Sequence, residues 1–164
     1  MRTFSIQLPL VPLTEGQVVD RAAWPAHITL IGNFRADDAD ATKATIDDFA
    51  GITSSVRVAV EHEAWFGPDR TVLVDLLDVP LLRALHTELL RNLEAKIPKF
   101  DTLLPLHTRD GYWPHRTVTA GLRPAHGDVL EAARVSLAEL DPPGRTGLAV
   151  ILGIWPLKGS EQRA

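Results

Sequence analysis

The 164-residue chain contains no cysteine. That absence removes disulfides, thiolate zinc sites, iron–sulfur clusters and a cysteine nucleophile together, and it fits a cytoplasmic setting. Long apolar runs are missing too. The longest, residues 148–157, is interrupted by Gly153 and Pro156 and falls well short of the roughly 20 residues a membrane span needs. Met1-Arg2 leads directly into a strand-like segment, without the basic, apolar and small-residue succession of a signal peptide. Basic charge is scarce: 17 Lys and Arg stand against 21 Asp and Glu, a net charge of −4. Salt-dependent coating of long nucleic acid, which wants a basic domain, is therefore not expected. A small phosphate-bearing ligand held by a few local groups remains open. The sequence has no P-loop, G-x-G-x-x-G, G-x-S-x-G or H-E-x-x-H pattern, so nothing calls for a nucleotide cofactor, a serine-hydrolase site or a metal.

What is present begins with ordinary globular composition, 45% hydrophobic and 23% charged. The length suits one domain, expected over residues 1–157, with 158–164 as a flexible tail and the protein a monomer. The informative feature is a doubled string. Trp24-Pro25-Ala26-His27-Ile28-Thr29-Leu30 returns, slightly compressed, as Trp113-Pro114-His115-Arg116-Thr117-Val118, about half a chain later. In a strand, residues i and i+2 point the same way. Each copy therefore sets an imidazole and a hydroxyl on one face, about 7 Å apart. Two such faces brought together would offer His27, His115, Thr29 and Thr117 to one ligand.

Patterning around the motifs predicts an α+β chain of order β-β-α-β-β-α-β-α-β. Strands are expected at 3–10, 26–33, 54–62, 71–77, 114–122 and 146–155 from alternating or continuous apolar residues bounded by Gly and Pro. In the first motif strand, Ile28 and Leu30 are expected on one side and His27, Thr29 and Ile31 on the other. Residues 11–25 read as loop. Asp37 or Asp38 can cap a helix ending near Phe49, with Gly51 as its stop. Asp78 can cap another, in which Leu81, Leu82, Leu85, Leu89, Leu90 and Leu93 keep the 3.6-residue period to about Lys96. A third helix is expected from about Gly127 to Leu140. Residues 97–112 form a long irregular stretch, the kind that tends to carry function. Two lobes follow, each an antiparallel sheet with helices packed outside and the motif strands lining a central groove.

The pair His27-Ile28-Thr29-Leu30 and His115-Arg116-Thr117-Val118 resembles the signature of the 2H phosphoesterase superfamily, within it the 2′-5′ RNA ligase and cyclic phosphodiesterase group. The order of elements around the motifs agrees over nearly the whole chain. The resemblance implies catalytic His27 and His115, and phosphate-binding Thr29 and Thr117. It implies His27 as proton donor and His115 as acceptor in hydrolysis, exchanged in reverse; from the residues themselves either can be the acid. Arg116 departs from the family, which usually carries an apolar residue there. Either the face opposite His115 is partly open there, or Arg116 reaches an edge or pairs with an acid. No arginine follows the second motif closely; the nearest beyond Arg116 is Arg123.

The chemistry explains the residue types. Opening a 2′,3′-cyclic phosphate, or cleaving a phosphodiester beside a ribose hydroxyl, needs a proton removed on one side of phosphorus and one supplied on the other. Histidine populates both forms near neutrality, and threonine hydroxyls can donate to non-bridging phosphate oxygens. Trp24, Trp113, Tyr112 and Phe34 flank the motifs, and Trp113, next to the long loop, is the candidate to stack a nucleobase in substrate binding. The remaining histidines have plainer readings: His62 between two glutamates on a strand, His86 at the solvent boundary of its helix, His126 on the surface, and His107 in a loop from which it could approach the site. The expected partner is a small nucleotide or RNA end, with no membrane. The alternative is a non-catalytic nucleotide- or RNA-end-binding module with the same groove.

Overall fold

The computed structural model describes residues 1–66, 69–70, 72–77, 79–117 and 126–160. The strands are β1 (Arg2–Pro9), β2 (Val18–Asp20), β3 (His27–Ala36), β4 (Val56–Ala59), β5 (His62–Phe66), β6 (Val72–Leu76), β7 (Asp101–Thr102), β8 (His115–Thr117), β9 (Val129–Ala132), β10 (Arg134–Leu140) and β11 (Leu148–Pro156). Two α-helices, α1 (Ala39–Ile52) and α2 (Pro80–Lys96), complete the α+β fold. Short 3₁₀ turns occupy Arg21–Ala23, Pro105–His107 and Arg109–Gly111.

Nine strands form one antiparallel sheet in the order β2-β11-β10-β1-β3-β8-β6-β5, with β7 also on β3. The two halves of the chain thus meet within a single sheet, where β3 pairs with β8. A small second sheet pairs β4 with β9. Along β1, Phe4, Ile6 and Leu8 turn into the main core beneath both helices, while Ser5 and Gln7 turn to the opposite face. α1 starts where Asp38 accepts from the Asp40 and Ala41 N–H groups at 3.0 and 2.9 Å, meeting two otherwise orphan donors. It buries Ile46, Phe49 and Ala50. α2 opens with Pro80, whose missing N–H costs nothing at that position, and buries Leu82, Leu85, His86, Leu89, Leu90 and Leu93. Both helices lie on one face, and the other is left for the site.

Several expectations need correction. The helix predicted over 127–140 is two strands, β9 and β10. Val135 and Leu137 face the main core while Ala138 and Leu140 join a second cluster with Leu13, Val19, Ala149 and Ile151. Such a strand, buried on both faces, is apolar without alternation and imitates a buried helix. The stretch 11–25 contains β2 and a 3₁₀ turn. The strand expected at 54–62 ends early: Val56–Ala59 pairs with β9, and β6 forms its hairpin with the separate strand β5. Gly51 lies inside α1, and Thr53 is the C-cap. Val79 is the N-cap of α2; the proposed cap Asp78 lies outside the described residues, as do Gly67, Pro68 and residues 118–122 of the second motif strand. Within the tail, the Lys158 N–H donates to the Thr53 carbonyl at 2.8 Å, so it is tied to the fold at that point; residues 161–164 lie outside the description.

Ile31 is a smaller correction with a larger consequence. It is fully buried in the core with Ile28 and Leu30, not on the histidine face. The β1–β3 register shifts between Phe4 and Ile6 and again between Ile6 and Gln7, so β3 carries extra residues there. A bulge breaks the two-residue alternation. Beyond it, Gly32 and Asn33 return to the face that holds His27 and Thr29.

Candidate active site

The site follows from one pairing. Ile28 sits directly opposite Arg116 in the antiparallel β3–β8 pair. That register places His27 opposite Thr117 and Thr29 opposite His115, with all four side chains on one face. The two histidines are then diagonal neighbours, about 7–8 Å apart between backbones, a gap that suits a tetrahedral phosphate between two imidazoles. All four residues line a cavity of about 440 Å³, with Trp113, Tyr112, Phe66, His107, Arg21 and Gln7 among its other walls.

The two imidazoles are held alike. His27 Nδ1 lies 2.8 Å from the Pro25 carbonyl, and His115 Nδ1 lies 2.7 Å from the Trp113 carbonyl. A carbonyl only accepts, so Nδ1 carries the proton in both rings and Nε2 is left for the cavity. Here the Trp-Pro string has its physical meaning: it supplies a carbonyl two residues before each histidine. Burial lowers the His27 pKa below its ordinary value, opposed by the Pro25 hydrogen bond and assisted by His115. Burial likewise lowers His115, opposed by the Trp113 carbonyl and assisted by His107. Aromatic rings back both: Trp24 lies 5.3 Å from His27, and Phe66 lies 5.0 Å from His115.

Arg116 takes the opposite face. Its guanidinium is buried and bonds through Nε to Asp75 Oδ2 at 2.8 Å, and again through Nη2. Asp75 is its cross-strand neighbour in the β6–β8 pair. Arg116 thus pairs with an acid and leaves the cavity clear.

His86 was expected at the solvent boundary, but it is buried. Its Nδ1–H donates to the Leu30 carbonyl at 2.6 Å, and its Nε2 accepts from the Arg109 backbone N–H at 3.0 Å. Its ring stacks on Tyr112 at 4.0 Å between centroids, and the Tyr112 hydroxyl donates to the Thr29 carbonyl at 2.8 Å. The long loop is therefore latched to β3 beside the first motif. Burial lowers the His86 pKa, and Arg109 and Arg83 push the same way.

Trp113 is half exposed at the cavity mouth, 6.1 Å from Phe66. Phe34 lies in the core away from the site, and Tyr112 and Trp24 pack at its walls. His107 lines the cavity, while His62 and His126 are exposed elsewhere. Sequence reading missed Ser5, Gln7, Phe66 and Arg21. Ser5 and Gln7 carried a signal, being the polar alternates of β1; Arg21 and Phe66 carried none without the sheet order. Among the described residues no group of three or more His, Asp or Glu side chains could hold a metal ion, and no helix is long and apolar enough to cross a membrane.

A profile of the 2′-5′ RNA ligase superfamily matches residues 8–148. Solved structures share the fold at low identity. The Thermus thermophilus protein TT0787 is 17% identical with a TM-score of 0.58, covering 97% of this chain and 99% of its own. E. coli LigT complexed with NADP+ is 17% identical with a TM-score of 0.55, covering 95% and 96%. E. coli LigT complexed with 3′-AMP is 17% identical with a TM-score of 0.53, covering 96% and 98%. No curated relative matches by sequence.

Proposed function

Because the chain belongs to the 2′-5′ RNA ligase superfamily, we propose that it is a metal-independent phosphoesterase using His27 and His115 as an acid–base pair on 2′,3′-cyclic phosphates or 2′-5′-linked ribonucleotide ends. The observation that carries the reading is the Ile28–Arg116 register, which brings both histidines and both threonines to one cavity with each Nε2 free. His27 gives a proton to the leaving oxygen while His115 takes one from the attacking water or hydroxyl, and the roles exchange in the ligation direction. The Thr29 and Thr117 hydroxyls donate to the non-bridging oxygens as their charge changes. A nucleobase stacks on Trp113 at the mouth. The cavity, about 440 Å³, suits a nucleotide-sized ligand, in keeping with the 3′-AMP and NADP+ held by E. coli LigT.

His27→Ala and His115→Ala are each expected to lower turnover of a nucleoside 2′,3′-cyclic phosphate or a 2′-5′ dinucleotide by about 10²- to 10⁴-fold, with an unchanged thermal unfolding profile. Wild-type activity should persist in EDTA. Full turnover by either variant would sink the two-histidine reading, and loss of activity in EDTA would sink metal independence.

A further inference from the structure

The cavity is lined from six adjacent strands, from β10 through β1, β3, β8 and β6 to the end of β5, a span of roughly 24 Å at the usual strand spacing. Its ends differ in chemistry. The β5–β6 end is apolar, with Phe66, Val72, Val74 and Trp113; the β10 end holds Ser5, Gln7 and Arg21. The histidines lie between. Among the described lining residues, Arg21 alone carries a fixed charge.

Arg21 is held in place. It opens the 3₁₀ turn Arg21–Ala23, whose N-cap Asp20 accepts from the Ala22 N–H at 2.8 Å. Its own backbone N–H donates to the Gly147 carbonyl at 3.0 Å. Its guanidinium meets Asp141 through Nη1, and the other Asp141 oxygen accepts from the Gly147 N–H at 2.7 Å. The pair is about one-third exposed, so it is wet and exchangeable. A guanidinium has five N–H donors, and Nη1 is the atom committed to Asp141; Nε and Nη2 remain for an anion.

We propose that Arg21 binds a second phosphate of the substrate, on the side of the ribose away from the base. This rests on the reading above: a ribose phosphate sits between His27 and His115, and its base turns to Phe66 and Trp113. The 5′ side of the same ribose then points toward β10 and Arg21. The preferred ligand class is a nucleotide phosphorylated at both ends of its ribose, or a chain continuing through a 5′-phosphodiester, in preference to a nucleoside with one phosphate. Asp141 competes for the guanidinium and lowers the gain.

Calorimetric binding of adenosine 3′,5′-bisphosphate and adenosine 3′-monophosphate, at matched ionic strength, tests this apart from turnover. The bisphosphate is expected to bind the wild-type protein about tenfold more tightly. Arg21→Gln is expected to bring that ratio close to one. Asp141→Asn is expected to raise it, because Asn keeps an acceptor for Gly147 and tolerates the left-handed backbone of residue 141 (φ 47°). Equal affinities in the wild type, a ratio unmoved by Arg21→Gln, or no binding of either ligand would each overturn the proposal. Binding with the expected ratio but no hydrolysis of a cyclic phosphate would sustain it while sinking the catalytic reading.

Discussion

At the scale of single residues, the two histidines are poised by the same three kinds of influence. Burial disfavours the imidazolium in each, a backbone carbonyl partly restores it, and a neighbouring imidazole disfavours it again. Catalysis needs one ring protonated and the other neutral, so the rate should fall on both sides of an optimum. With both pKa values below the ordinary 6.5, that optimum for kcat/KM is expected on the acid side of 6.5, since kcat/KM reports the free enzyme. A bound phosphate anion favours imidazolium, so the kcat optimum should lie at higher pH. Stopped assays of cyclic-phosphate opening from pH 4.5 to 8.5 check this; a kcat/KM optimum above 7 would contradict the burial of both rings. The facing of each His-x-Thr pair to one side of its strand was legible, because strand alternation is a local rule, and an acid partner was one of the readings open for Arg116. The identity of the acid, Asp75, was not, because cross-strand neighbours are set by a register that no local pattern states.

At the scale of elements, the β6–β8 pair joins the β5–β6 hairpin at the sheet edge to the second motif strand through buried opposite charges. Asp75 and Arg116 are directly opposite and both nearly inaccessible. Breaking a buried pair strands the survivor. Asp75→Ala is therefore expected to cost about 3–5 kcal/mol, read as a lower urea midpoint. A double change of Asp75 and Arg116 to Leu should recover most of that loss, because two apolar groups need no partner. A single-variant cost below about 1 kcal/mol would mean that the pair is effectively solvated. The same scale shows where sequence reading failed. α1 and α2 have one apolar stripe each and were found, although in α2 Leu81 is exposed and His86 is buried. β10 is buried on both sides, so Val135, Leu137 and Leu140, which divide between two core clusters, read together as one side of a helix. In β3 the bulge reverses Ile31 after a correctly read His27 and Thr29. The loop 97–112 stood out by its length, but its latch through His86 needs a helix, a strand and a loop to meet. Gly111 permits that closure: a Cβ there would lie 2.1 Å from the Leu106 carbonyl oxygen, which is backbone and cannot swing aside.

At the scale of the whole molecule, one sheet serves two purposes, with helices sealing one face and the site occupying the other. The paired histidines therefore stand partly buried, and their titration is coupled to folding. His27, His86 and His115 all have folded-state pKa values lowered chiefly by burial. Well above pH 6.5 all three are neutral whether the chain is folded or not, and their titration costs the fold nothing. As pH falls below 6.5 the unfolded chain takes up protons first, so stability drops until the lowered folded values are passed. Three such groups give a slope of up to about 4 kcal/mol per pH unit. The Arg2–Glu139 pair does not confuse this window. Arg2 holds the Glu139 carboxyl below its ordinary 4.5, so its stabilisation is lost only at more acid pH. Urea unfolding at intervals between pH 7.5 and 5 should show a level midpoint at the upper end that falls once the pH drops to about 6.5 and below. Replacing both His27 and His115 with Asn should flatten the slope, leaving the share due to His86, whose Nε2 must stay unprotonated to accept from Arg109. A wild-type midpoint constant across that range would show that the imidazoles reach water in the folded state. An unflattened slope in the double variant would assign the acid sensitivity to the loop latch, away from the site.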